Sequence, residues 1–375
     1  KQESIDTILE YIRAKEEGRI GNLYVMGCLS ERYVQELEQE IPDVDKYFGV
    51  NDLQSIVREL GGDYKYDLVG ERLVTTPKHY AYLKISEGCD RRCTFCAIPS
   101  IRGKHVSRPE GEIIAEARRL SAKGVKELML IAQDLTYYGI DLYRENRFAP
   151  LLEALSGIHA IEWIRLHYAY PAGFPMDILP LIKERPNVCK YIDMPIQHIN
   201  NRILSLMQRG HSREGTWQLL EKIRTELPGV ALRTTLIVGF PGETDEEFRE
   251  LVDFIETFRF ERLGVFTYSH EEGTTAHKLK DSVPEKVKQE RMDELMHVQQ
   301  EISYRLNQQK VGKTLKTIID RKEGEQYIGR TEFDSPEVDN EVIISPGSSV
   351  LVPGKFYPVH IEKADYFDLF GSITR

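Results

Sequence analysis

From residue 81 onward the chain alternates between two apolar periods, and this alternation limits the fold more than any other feature. β-rich runs stand at 81–86, 127–132, 163–168, 190–195, 232–238 and 263–268. Helical patterns near 110–123, 149–156, 176–185, 200–208, 212–226 and 244–258 fill the intervals and follow them. Parallel strands need a long crossover, usually a helix, so the repeat predicts an α/β fold with a parallel sheet of βαβ units. Six units are too few for an eight-fold closed barrel and suit a partial (β/α)6 barrel. Its active residues should gather at the carboxyl ends of the strands. A long charged helix near 284–309 ends this section.

The flanks read differently. In 1–62, Ile5, Ile8, Leu9 and Ile12 recur at helical spacing. Short strands in 22–27 and in DKYFGV flank a second helix near 32–41, which predicts the remnant of a small N-terminal α/β domain. The chain opens KQESIDTILEYI, inside an amphipathic helix and without an initiator methionine, so an upstream segment is expected. Residues 63–80 are polar and aperiodic and read as a linker, leaving the barrel at 81–309. The stretch 310–375 has short β-rich segments (TLKTIID, YIGRT, EVIIS, FYPVHIEKA) divided by Gly, Pro and Asp, which predicts a small antiparallel β-barrel.

Composition narrows the class. The 375 residues are 41% hydrophobic and 29% charged, which excludes a disordered or fibrous chain. No apolar run approaches the ~18–20 residues that cross a bilayer. Fifty Lys and Arg against sixty Asp and Glu give −10, a balance that disfavours nucleic-acid binding through bulk charge.

Five cysteines stand at 28, 89, 93, 96 and 189, an odd count with three of them inside eight residues. That spacing is too tight for a disulfide framework. In a chain without a signal peptide it reads as metal or redox chemistry in a reducing cytoplasm. The loop Cys89-Asp-Arg-Arg-Cys93-Thr-Phe-Cys96 directly follows the first barrel strand. Three thiolates at this spacing can hold one 4Fe-4S cluster and leave the fourth iron open to an external ligand. The alternative is a structural zinc knuckle in a non-catalytic adaptor, with His105 as fourth ligand.

The CxxxCxxC loop, with Phe95 before its last cysteine, resembles the radical S-adenosylmethionine (SAM) enzymes. The resemblance implies that the open iron chelates SAM, whose one-electron cleavage yields a 5′-deoxyadenosyl radical. The words KISEGCDRRCTFCAIPSIRG, IAQDLTYYGID, MPIQHINNRILSLMQR and LIVGFPGET are similar to those of the methylthiotransferases, which replace a C–H bond with C–SCH3. That family's plan is an N-terminal domain with its own 4Fe-4S cluster, a radical SAM barrel and a C-terminal TRAM barrel. Cys28, in VMGCLSERY, matches the third cysteine of the auxiliary cluster, whose other ligands are expected upstream. Cys189 has no such match and is expected in the core.

Phe95 and several positions beyond the loop are candidates for SAM contacts. Gln133 and Asp134 follow the second barrel strand, Gln197 and His198 the fourth, and Arg233 lies on the fifth, where it offers a partner for the SAM carboxylate. Gly239, in GFPGET, would let backbone approach a ligand, and Thr244 is placed to cap the next helix. His211, His270 and His277 read as surface or core histidines. KISEGCD, FCAIPS and AQDLTYYGIDLY resemble the protein-modifying, RimO-type branch, which implies an aspartyl β-carbon in small-subunit ribosomal protein S-twelve as acceptor. The alternative is an adenosine in transfer RNA. A reductase or flavodoxin-type electron donor is implied as well. Residues 311–375 hold eight Lys/Arg and eleven Asp/Glu, a net of −3, and the acidic stretch EFDSPEVDNE at 332–341 is expected as an exposed loop for a basic protein partner.

Overall fold

A computed structural model describes residues 1–63, 73–347 and 349–374. Contacts divide them into two compact units. The smaller holds residues 1–63 with Gly88–Asp90 and Ala97–Lys104. Its elements are α1 (Gln2–Glu16), β1 (Tyr24–Met26), α2 (Cys28–Glu40), β2 (Lys46–Phe48), α3 (Leu53–Glu59) and α4 (Ile98–Arg102). The strands pair in parallel, Tyr24 opposite Lys46, and α1 lays Ile8 and Ile12 on a core with Leu23, Leu37 and Tyr47. Of the expected linker, residues 64–72 lie outside the described residues.

The larger unit begins with β3 (Tyr80–Lys84), β4 (Ser86–Glu87), β5 (Val106–Ser107), α5 (Glu110–Ala122), β6 (Glu127–Ile131), α6 (Ile140–Tyr143), α7 (Phe148–Ser156) and β7 (Trp163–Leu166). It continues through α8 (Ile178–Glu184), β8 (Val188–Asp193), α9 (Asn201–Leu206), α10 (Arg213–Glu226), β9 (Ala231–Val238), α11 (Asp245–Phe258), β10 (Arg262–Thr267) and α12 (Glu285–Gln308). Six strands form one parallel sheet in the order β10-β9-β8-β7-β6-β3, the predicted partial barrel. Its outer face buries Leu83, Leu128, Leu130, Ile164 and Leu236 against Leu120, Leu155, Leu251 and Ile255 of the helices. Each such side chain stabilises by about 1.5–3 kcal/mol relative to exposure. The inner face is read from alternation: on β9, Leu232, Thr234, Leu236 and Val238 are buried, while Arg233, Thr235 and Ile237 are half-buried. Those three line a lumen, with Tyr82 and Lys84 of β3 half-buried as well.

Thr244 caps α11 as expected. Its hydroxyl accepts from Glu247 N–H, and Glu247 Oε2 accepts from Thr244 N–H at 2.9 Å.

The last five strands are β11 (Thr314–Glu323), β12 (Gln326–Thr331), β13 (Val342–Ser345), β14 (Phe356–Ala364) and β15 (Leu369–Ile373), closed in the order β11-β12-β13-β15-β14. Four pairings are antiparallel, and β13–β15 is parallel, Val342 opposite Leu369. β15 reaches β13 only after β14 has reversed the chain, so closure without an open edge brings those two strands together in the same direction.

The small barrel seats on the amino-terminal half of the sheet's inner face. Ile318, Phe333 and Phe356 pack with Trp163, Cys189, Tyr191 and Ala231. Around them lies a buried ionic network. Glu127 receives Arg165 Nε and Arg330 Nη2, both at 2.8 Å. Arg330 also donates to Asp320 at 2.7 Å, and His79 Nε2 lies 2.7 Å from the same carboxylate. Arg262 pairs with Asp334, and Arg233 bridges Asp193 and Asp339 at 3.0 and 3.3 Å.

This overturns the expectation for 332–341. The stretch is not an exposed acidic loop: Asp334 and Ser335 are buried, and Asp339 accepts from Tyr191, Ser335 N–H and Arg233. Its carboxylates neutralise arginines of the barrel strands, because a buried guanidinium needs a paired, hydrogen-bonded partner. The tail's net −3 is therefore largely internal and gives no reason to assign a basic partner.

Candidate functional site

The antiparallel pair β4–β5 closes the base of a long excursion that carries the three clustered cysteines. Within the larger unit, Thr94 anchors the loop: its N–H donates to Met207 O at 3.0 Å, its hydroxyl to Leu206 O at 2.8 Å, and Ala276 N–H donates to its carbonyl at 2.8 Å. Phe95 packs against the cluster of Phe240, Tyr268, Ala276 and Ile203, so it wedges the loop onto the carboxyl end of β9 and β10. Cys96 N–H donates to Cys93 O at 3.1 Å. In the smaller unit Cys89 N–H donates to Gly103 O at 3.1 Å. There Gly88 has φ 76°, and a Cβ on it would lie 2.1 Å from the Lys104 carbonyl, so only glycine fits.

Cys93 is ringed by groups that the motif does not contain. Arg209 Nη1 donates to its Sγ at 3.2 Å, and Tyr170 Oη lies 3.9 Å away. The Tyr170 ring is sandwiched between Arg91 at 4.0 Å and Arg209 at 4.3 Å, and its hydroxyl donates to Arg209 O. Arg91 is fixed by Asp134 at 2.8 Å, and Asp134 accepts from Thr136 N–H at 2.9 Å. A guanidinium N–H on the sulfur is the kind of outer contact that tunes a thiolate-ligated centre. Three half-buried thiols on one loop and this cationic surround fit an anionic iron–sulfur cluster. The zinc alternative does not fit. His105 is buried and turned to Ser107 Oγ at 3.1 Å, near Asp141.

The other candidates divide. Gln133 donates to Glu87 at 3.0 Å, and its own carbonyl oxygen is buried with no hydrogen-bond partner among the described residues. Gln197 stands at φ 73°, bridged to β9 through Thr235 O and Ile237 N–H, and its side-chain oxygen is likewise unsatisfied. A buried acceptor left empty costs about 1–3 kcal/mol, which a ligand's ammonium or hydroxyl would relieve. Arg233 faces the lumen but is already held by Asp193 and Asp339. At Gly239, φ 73°, the close approach is made by Lys288: a Cβ would lie 2.2 Å from its Cγ, and Gly239 N–H donates to Glu243 at 3.0 Å. Cys28 is exposed at the start of α2, 3.7 Å from Arg102 Nη2, on a cavity of about 680 Å3 that Tyr11, Met26 and Leu29 also line. Cys189 is buried in the seat of the small barrel, its thiol pushed up to about 12 by burial.

His198 and His211 are held neutral. Burial pushes His198 down to about 3 and His211 to about 4, and Asn200 N–H donates to His198 Nδ1 at 3.0 Å, which places the His198 proton on Nε2. His270 and His277 stack with ring centres 4.3 Å apart. For a base depressed in the fold, the unfolded chain takes up a proton below 6.5 that the native chain refuses. Stability should then fall between pH 6.5 and 5 by about 2 kcal/mol per histidine. Urea unfolding at both pH values, for the chain and for His198→Gln, tests this. The variant should lose about half the slope, and an unchanged slope would show His198 charged in the fold.

Arg209, Arg91 and Tyr170 were not among the sequence candidates. Arg91 lies inside the cysteine loop and signals itself there. Arg209 and Tyr170 come from segments over 70 residues downstream, and only folding brings them to Cys93.

An open parallel sheet with a CxxxCxxC loop after its first strand defines a radical SAM enzyme. Residues 83–255 match the radical SAM superfamily and 311–374 the TRAM domain. The chain is 55% identical over 372 residues to the ribosomal protein uS12 methylthiotransferase RimO of Christiangramia forsetii, across 99% of this chain and 83% of that protein. It is 56% identical to the protein of the same name from Flavobacterium johnsoniae, across 99% and 85%. The chain belongs to the RimO family of radical SAM methylthiotransferases and uses 4Fe-4S clusters and SAM. Among solved structures, coproporphyrinogen III oxidase (HemN) from Escherichia coli aligns with TM-score 0.47 and 18% identity, over 72% of this chain and 69% of that one. No helix among the described residues is long and apolar enough to cross a membrane.

Proposed function

We propose that this chain methylthiolates the β-carbon of an aspartyl residue in ribosomal protein uS12, in the cytoplasm, with electrons from a flavodoxin-type or other one-electron reductase. The observation that carries this reading is identity of 55–56% over 372 residues, a span that includes barrel and TRAM domain, to proteins named for that acceptor. Cys89, Cys93 and Cys96 would hold the SAM-cleaving cluster, and Cys28 would be one ligand of the auxiliary cluster. When bound, SAM supplies the radical that removes the acceptor hydrogen and, from another molecule, the methyl group.

The residues of the chain do the holding. Arg209 steadies Cys93, and Thr94 with Phe95 fixes the loop on the barrel mouth. Gln133 and Gln197 offer unsatisfied acceptors to SAM. Arg233 stays a lumen cation within reach of a carboxylate, and Gly239 acts through the loop it shapes over Lys288. The domain reading is 1–62, 81–309 and 310–375, joined at 63–80. The test is to incubate reconstituted enzyme, SAM and reductant with ribosomes and with a transfer-RNA pool. The expected product is one SCH3 in place of one hydrogen on uS12, found by peptide mass spectrometry. The same gain on adenosine, with none on the protein, would move the chain to the RNA-modifying branch.

A further inference from the structure

The strand β7 ends in a feature that neither the cluster loop nor the core accounts for. Tyr168 stands at φ 63° with half of its surface exposed. A non-glycine residue rarely adopts this backbone region, and a bulky one keeps it only where its surroundings over-determine it, commonly at ligand sites. Here both of its backbone groups are tied. Its N–H donates to Asp193 Oδ2 at 3.2 Å, and its carbonyl accepts from Leu135 N–H at 3.2 Å. Asp193 is itself buried and fixed by Arg233 at 3.0 Å, and Arg233 by Asp339 of the small barrel at 3.3 Å. The next residue closes the clamp: Ala169 N–H donates to Asp193 O at 2.8 Å. Two residues on is Tyr170, beside Cys93.

The side chain is thereby held in place without being buried. An aromatic ring half in water, just past the carboxyl end of β7 and two residues before Tyr170, gives the core little. It offers a rigid apolar face at low entropic cost to whatever enters.

Resting on the acceptor proposed above, we infer that Tyr168 is an acceptor-binding residue: its ring packs on the backbone of the ribosomal-protein segment that carries the aspartyl group. The chain Asp339–Arg233–Asp193 positions it, so the small barrel sets the geometry at the mouth through an ion-pair relay. Phe266, 61% exposed on the edge strand β10, is registered with Ile237 and so shares its face of the sheet with Thr235.

The experiment uses the full reconstituted enzyme with uS12 as acceptor and the variants Tyr168→Gly and Tyr168→Phe. Loss of one aromatic contact should raise acceptor KM about tenfold in Tyr168→Gly, with a much smaller change in kcat. Tyr168→Phe keeps the ring and should stay within about twofold of the parent. Glycine relieves the left-handed backbone, so the melting temperature of Tyr168→Gly should hold or rise. A residue that merely supports the fold would lower it. An acceptor KM within twofold of the parent in Tyr168→Gly, or a lowered melting temperature that accounts for the loss, overturns the inference. If the parent enzyme itself leaves uS12 unmodified, the acceptor reading fails instead, and the two failures are told apart by that control.

Discussion

Cys93→Ala abolishes reductive SAM cleavage and lowers the iron content of the anaerobically reconstituted chain by about four per molecule. Three thiolates are the minimum that holds a cubic cluster with one open iron, so the loss of one leaves the site a ligand short. His105, the nearest sequence candidate, is engaged by Ser107. The same loss is expected for Cys89→Ala and Cys96→Ala. Folding should survive, because Cys93 is half-buried in a loop anchored independently through Thr94 and Phe95. Iron analysis, 5′-deoxyadenosine formation and far-UV circular dichroism together decide the matter. Continued 5′-deoxyadenosine formation in any one variant would remove that cysteine from the ligand set.

Local features of the sequence carried the sheet and the loop. The six barrel strands fall within two residues of the positions read from apolar runs, and Thr244 caps its helix, because period and capping are local properties. The cysteine spacing is local too. Long-range charge pairing is not. Glu127 and Arg330 are 203 residues apart, and Arg165 lies in an otherwise apolar strand. Nothing in either neighbourhood shows that the two arginines share one carboxylate. For the same reason the 332–341 stretch reads as solvated from composition, while in the fold its Asp334 and Asp339 complete Arg262 and Arg233. Around Cys93, the motif supplies the sulfurs, and distant segments supply Arg209 and Tyr170. The last strand, Leu369–Ile373, lay outside the segments picked out by their β-rich composition, since its role is to close a barrel.

The seat of the small barrel makes the second large prediction. Glu127 is fully buried and receives Arg165 and Arg330 at 2.8 Å each. Glu127→Ala leaves two buried guanidiniums facing one another, with Asp320 remaining as a charged partner for Arg330 and the Thr331 and Glu332 carbonyls for Arg165. Removing one partner of a buried ion pair typically costs 3–5 kcal/mol, and that loss is expected in the urea unfolding of Glu127→Ala at pH 7. Acid supplies a second reading of the same variant. Burial pushes the Glu127 carboxyl up, but Arg330 and Arg165 more than offset this and hold it below its ordinary 4.5. A carboxyl depressed in the fold contributes stability above its unfolded value, and that contribution is lost as pH falls through the folded one. The gap between parent and Glu127→Ala should therefore be full at pH 7 and narrow below pH 4. A gap under about 1 kcal/mol at pH 7 would show that solvent reaches this site and that the ionic network does not hold the small barrel in place.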